Sequence, residues 1–239
     1  MIKPGEEWGG PTSARPDLEV TGSDADLATR VGESLNDSSR PAGASSGESL
    51  NDSPTRAGML VRFQPDASSD LAGAVGLDAD REVPLGIQLP VDLLCLADGR
   101  AAVNMIVIGT PPDAVGFATR RFGANLRVDG KPVFHGPCTT IVIATGQFRR
   151  GLDLVPRGHP GDGRAETQVY AVSGRERRQL RTRLATGTHV PHPRITQRSG
   201  TRVTVSVDRR VALEIDGRPA PRADRIDVTV VPDAYRLLL

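Results

Sequence analysis

Aromatic residues make up only 3% of this 239-residue chain, so any core has to be built from Val, Leu, Ile and Ala. Charge of one sign is lacking as well: 30 Lys and Arg against 29 Asp and Glu leave a net charge near +1. That balance gives no case for nucleic-acid or membrane binding by bulk charge. Cysteine is nearly absent. Cys95 and Cys138 stand alone in apolar, strand-like runs without a CxxC spacing, which argues against a zinc site and against a disulfide scaffold. Both read as core thiols. Long hydrophobic runs are missing too, and the opening MIKPGEEWGGPTSARP has no apolar stretch of signal-peptide type. The expectation is a cytoplasmic protein.

Residues 1–16 are rich in Gly and Pro and are expected to be disordered. The stretch VTGSDADLATRV (Val20 to Val31) reads as a strand, a small-residue turn and an amphipathic helix, the layout of a phosphate-binding element. Asp24 or Asp26 is placed to cap that helix. A Ser/Gly/Pro/Asn stretch follows, with the heptapeptide GESLNDS at 32–38 and again at 47–53. One repeat pair is too short for a solenoid, and residues 36–57 read as a flexible insertion. GMLVRFQP is a strand, and DASSDLAGAVGL a short helix capped from SSD. From Val83 onward, β-branched runs broken by Gly, Pro and Asp-Gly pairs predict many strands, with VDGK and IDGR as hairpin turns. One arginine-rich helix, GRERRQLRTRLATG, interrupts them. The fold class is α+β with two domains: a reduced α/β unit over 17–82 and a β-sandwich-like unit over 83–239.

Five ordered pieces of the chain resemble the diacylglycerol kinase / sphingosine kinase / bacterial lipid kinase family. VTGSDADLATRV is similar to that family's strand, GGDGT turn and helix: Gly22 and Asp24 match, Ser23 and Ala25 replace glycines, and Asp26 replaces Thr. VRFQPDASSDLAGAVGL is similar to PxGTxNDFAxxLGL, with Pro65, Asp70, Ala72, Gly76 and Leu77 in step and Ala67-Ser68-Ser69 in altered positions. Pro156, Asp162 and Gly163 match a glycine-rich turn, with Glu166 in an aspartate's place. Gly187, His189 and Pro193 match GxHxxxPxV. Asp216, Gly217, Pro232 and Ala234 match the closing DGE…PxA segment, where Arg218 stands for Glu. The family's upstream βαβ stretch with its NPxSG turn has no counterpart in residues 1–21.

The resemblance implies a truncated α/β nucleotide-kinase-like domain followed by a β-sandwich, with ATP and Mg²⁺ as cofactors for phosphoryl transfer to a lipid hydroxyl. It assigns nucleotide binding to Gly22, Ser23, Asp24, Asp26, Ser68, Ser69 and Asp70, and catalysis to Asp216. Asp162 and Glu166, with His159 nearby, are metal candidates, although a polar hairpin turn explains them as well. His189 and His192 flank a proline and read as structural. Phosphoryl transfer rests on positioning and charge neutralisation, and each altered residue acts against one of these. Side chains at 23 and 25 crowd the phosphate-binding backbone, and Asp26 adds a negative charge there. Arg218 cannot act as a base. The expectation is a catalytically impaired, binding or regulatory member. The alternatives are an active kinase with a rebuilt Mg-ATP site, or a partner-dependent subunit of an intact kinase. Arg175, Arg177, Arg178 and Arg181 are expected to meet an anionic lipid or membrane surface, leaving the protein peripheral at a membrane. A protein partner or homodimer is a further expectation, and nucleic acid is not.

Overall fold

The computed structural model describes residues 8–38, 58–77 and 86–239. The second GESLNDS copy, most of the expected insertion and the expected boundary at residue 82 lie outside them. The chain opens with β1 (Gly10–Pro11), β2 (Leu18–Gly22), α1 (Asp24–Ser38), β3 (Met59–Pro65) and α2 (Asp70–Val75). Next come β4 (Ile87–Leu96), β5 (Ala101–Ala102), β6 (Met105–Gly109), β7 (Phe122–Val128), β8 (Lys131–Cys138) and β9 (Thr140–Ala144). β10 (Phe148–Arg149), β11 (Leu152–Asp153), β12 (Ala165–Tyr170), α3 (Glu176–Leu184), β13 (Ile195–Gly200), β14 (Arg202–Ile215) and β15 (Arg218–Leu238) complete it.

Residue type explains where each strand sits. Every residue of β9 (TIVIA) is buried, as an apolar run requires when both faces are covered. β7 alternates buried and accessible residues and so lays one face on the core. The β7–β8 turn has Asp129 and Gly130 at φ 49° and 74°, and the β14–β15 turn has Asp216 and Gly217 at 44° and 77°. Two left-handed residues in succession match the twist of a tight hairpin, and Asp-Gly is the pair that tolerates them. Leu27 and Val31 stand on one face of α1, four residues apart, and are fully buried with Val61, Phe63, Leu71 and Leu237.

β15 joins the two parts. Its first half pairs with β14, while its end pairs antiparallel with β4 and parallel with β3, which in turn pairs parallel with β2. The register shifts between Val231 and Tyr235, where Asp233 takes φ 48°. This bulge lets a single strand serve both the sandwich and the α/β layer. Residues 8–16, expected to lack order, are placed by pairing: β1 lies against β4, and Trp8 donates its indole N–H to the Pro90 carbonyl (3.0 Å) and packs edge-on to His159. Composition missed this because one indole and one short pairing outweigh the Gly and Pro around them. Likewise α1 runs to Ser38, past the expected start of the insertion.

Candidate functional site

The GSDAD turn lies where β2 ends and α1 begins. Gly22 has φ +128°, and a Cβ there would stand 2.6 Å from the Asp26 carboxylate, so only glycine fits. Ser23 donates both its backbone N–H (3.0 Å) and its hydroxyl (2.7 Å) to Asp26 Oδ2. Asp26 therefore folds back on the helix start as the second half of a capping box. Arg218, from the start of β15, reaches across the cleft. Its Nη2 donates to Asp26 Oδ2 (2.7 Å) and to the Ser23 hydroxyl (2.9 Å). The Ser23 hydroxyl and N–H, with Arg218 adding, hold the Asp26 carboxyl below its ordinary value. Two departures from the lipid kinase pattern, 192 residues apart, are thus in contact.

Asp24 points inward instead and is buried. One carboxylate oxygen accepts from the Ser69 hydroxyl (2.5 Å), and the other from the N–H groups of Asp70 and Leu71 (both 3.0 Å). Ser69 in turn caps α2 by accepting from Ala72 N–H. Asp70 faces the opposite way, accepting the N–H groups of Arg150 (2.7 Å) and Gly151 (3.0 Å) in the β10–β11 turn. The structure therefore brings Gly22, Ser23, Asp24, Asp26, Ser69 and Asp70 together. Ser68 is not in this cluster: its hydroxyl and N–H turn back to Asp66.

The C-terminal part of the chain decides the relationship. Residues 115–239 match the family model described as the YegS C-terminal NAD kinase beta sandwich-like domain. The chain belongs to this family. Two solved structures of diacylglycerol kinases described as putative, both from Bacillus anthracis str. Sterne, superimpose on 93% of the chain. One has a TM-score of 0.68 at 12% identity over 78% of its own length, the other 0.69 at 14% over 77%. At that identity the likeness concerns fold, and with the family match it makes the chain a member of the lipid kinase family. No curated protein matches the sequence significantly.

Asp216, the residue the family pattern assigns to catalysis, is buried at the β14–β15 turn. Its buried carboxylate accepts three backbone N–H groups, from Val103 (2.8 Å), Asn104 (3.0 Å) and Met105 (2.8 Å). Oδ1 takes two of these and Oδ2 one, so the carboxylate anchors the 103–105 segment to the β14–β15 turn. Two site residues escaped the sequence reading. Asp92 is fully buried in β4 and accepts from Gly163 N–H (2.6 Å) and Asp233 N–H (3.0 Å), tying the β15 bulge to the 160–163 turn. Tyr235 is fully buried near Asp24, Asp216 and Asp92, and its hydroxyl has no hydrogen-bond partner among the described residues. A lone aspartate inside the apolar run LPVDLLCL was the available signal for Asp92.

Burial raises Asp24 and Asp92 to about 6 and Asp216 to about 7, the Asp24 charge adding to the last, against an ordinary value of 3.8. Between those values the folded chain holds protons that the unfolded chain has released, so stability falls as pH rises through that window. Asp26, Asp129 and Asp227 are shifted the other way and lose their contribution only on further acidification. Thermal unfolding at a series of pH values should give its highest midpoint near about pH 4 and lower midpoints toward about pH 7. A midpoint that climbs steadily over that range would contradict the burial of these carboxylates in their neutral form.

The metal candidates Asp162 and Glu166 lie within electrostatic reach of one another. Asp162 accepts from Arg164 N–H (2.9 Å), and burial raises both it and Glu166. No group of three or more His, Cys, Asp or Glu able to hold a metal occurs among the described residues. In the GSDAD turn the Ser23 N–H is taken by the Asp26 carboxylate. A cleft of about 370 Å³ does adjoin the turn, between Ala25, Ala28 and Gly32 of α1 and the Pro219–Pro221 segment of β15, with Arg218 at its rim. Its walls are mainly apolar.

Proposed function

We propose that the chain is a catalytically impaired lipid kinase that keeps the family fold as a binding or regulatory module. The observation that carries this reading is the interlock of Ser23, Asp26 and Arg218. A phosphate entering the turn would have to displace Asp26 from the Ser23 N–H and would meet its negative charge. Arg218 is held by Asp26 and cannot deprotonate a lipid hydroxyl. Asp24, Asp70 and Asp216 accept backbone hydrogen bonds that fix α2, the β10–β11 turn and the 103–105 segment. The cleft beside the turn retains room for an apolar ligand, which is the capacity a binding member would use.

The reading is tested by incubating the full chain with radiolabelled ATP, Mg²⁺ and diacylglycerol in mixed micelles. No label is expected in the lipid. Transfer of label that disappears in Asp24→Asn would overturn the proposal in favour of an active enzyme with a rebuilt Mg-ATP site.

A further inference from the structure

Phe117 lies in the loop between β6 and β7 with 82% of its surface exposed, one of two large hydrophobic residues so placed among the described residues. Its presentation is built rather than incidental. Arg177, read from sequence as part of a charged surface, is buried, and its Nη1 donates to the carbonyls of Gly116 (2.7 Å), Phe117 (3.0 Å) and Thr119 (3.1 Å). Gly116 and Thr119 also bond to each other in both directions, closing the loop. The ring lies over Gly174, where a Cβ would stand 3.2 Å from it. Arg177 therefore acts as a brace, with Leu180 and Leu184 beside it on the inner face of α3.

The outer face of α3 carries the charge. Arg175, Arg178 and Arg181 recur every third residue, all exposed, and with Phe117 they line a groove of about 340 Å³. Arg120 is exposed on the Phe117 loop itself. None of the four has an acidic partner among the described residues. The nearest acid on the helix, Glu176, is occupied by the Ser173 N–H (2.7 Å) and Arg194 (3.2 Å). Asp113, at the base of the loop, is occupied by Arg149.

We propose that this face docks onto an anionic lipid bilayer, with the Phe117 ring below the headgroups and Arg120, Arg175, Arg178 and Arg181 on lipid phosphates. A bilayer places hydrocarbon directly beneath a layer of negative charge, and this surface offers one protruding ring within a set of cations. The core of a protein–protein interface is depleted in charged residues, whereas here cations surround a single ring.

The test is sedimentation of the full chain with vesicles of phosphatidylcholine alone and of equal parts phosphatidylcholine and phosphatidylglycerol. Binding is expected only to the anionic vesicles, and it should fall about tenfold or more in Arg178→Gln/Arg181→Gln. Phe117→Ser should lower it without changing the unfolding midpoint, since the ring is exposed. Phe117→Trp should shift its emission to the blue and be quenched by brominated lipid on adding anionic vesicles. Equal sedimentation with both vesicle types would overturn the proposal. So would binding indifferent to Phe117→Ser, or tryptophan emission that does not move. A phosphorylated peptide or oligonucleotide that binds while anionic vesicles do not would assign the face to another partner.

Discussion

Asp216→Ala is expected to lower the unfolding midpoint by about ten degrees. The carboxylate is the acceptor for three buried N–H groups at residues 103–105, two on one oxygen and one on the other. Leaving a buried donor without a partner costs about 1–3 kcal/mol, so the substitution should cost at least about 3 kcal/mol. A chain of this length loses about 2–4 °C per kcal/mol. Position 216 also has φ 44°, a left-handed conformation in which aspartate and asparagine are tolerated better than alanine. Asp216→Asn separates the two contributions. It keeps the turn and one acceptor oxygen, but sets an amide donor against one of the N–H groups, so its midpoint should fall between those of the wild type and the alanine variant. Calorimetry on the three proteins checks this order. An alanine variant that melts with the wild type would mean that Asp216 is free for other work.

Arg149→Met should cost about 3–5 kcal/mol, the range for breaking a buried ion pair from one side. The guanidinium is nearly inaccessible and lies flat against Glu214, Nε to Oε1 at 2.9 Å and Nη2 to Oε2 at 3.0 Å, while Nη1 holds Asp113 at 2.6 Å. Removing it strands a mostly buried carboxylate on β14. The double variant Arg149→Met/Glu214→Met removes two of the three charges, leaving only the more exposed Asp113 without its partner. It should recover part of the loss, because an apolar pair of similar volume replaces an ion pair at little net cost. Denaturant unfolding of the single and double variants gives the coupling. Equal destabilisation in the two would show that packing of the arginine stem, not the stranded charge, carries the effect.

The parts of the fold that were legible in the sequence are those decided within a few residues. Asp129-Gly130 and Asp216-Gly217 announce hairpins because only such pairs accept two left-handed residues, and Ser69 announces a helix start through its own hydroxyl. What was not legible depends on chain-distant contacts. Nothing local distinguishes an Asp26 that repels phosphate from one that pairs with Arg218 at 2.7 Å. The same holds for Asp92, whose partners Gly163 and Asp233 meet only because β15 bulges beside β4. The arginine helix held a readable signal that spacing between charges obscured. Leu180 and Leu184 define its inner face, and Arg177, three residues before Leu180, falls on that face, whereas Arg175, Arg178 and Arg181 do not.

The Asp26–Arg218 pair is itself half-exposed, 38% and 56% at the two side chains, and contributes only about 0.2–1 kcal/mol to stability. On the proposed reading its consequence is for ligands, since Asp26 takes the Ser23 N–H and holds Arg218. The most direct measurement is therefore thermal unfolding of the full chain with and without Mg-ATP and Mg-ADP. The account predicts an unchanged midpoint at every accessible nucleotide concentration. A ligand at a hundredfold excess over its Kd would add about 2.7 kcal/mol, and a resulting rise of several degrees would contradict the claim that the turn is closed to phosphate.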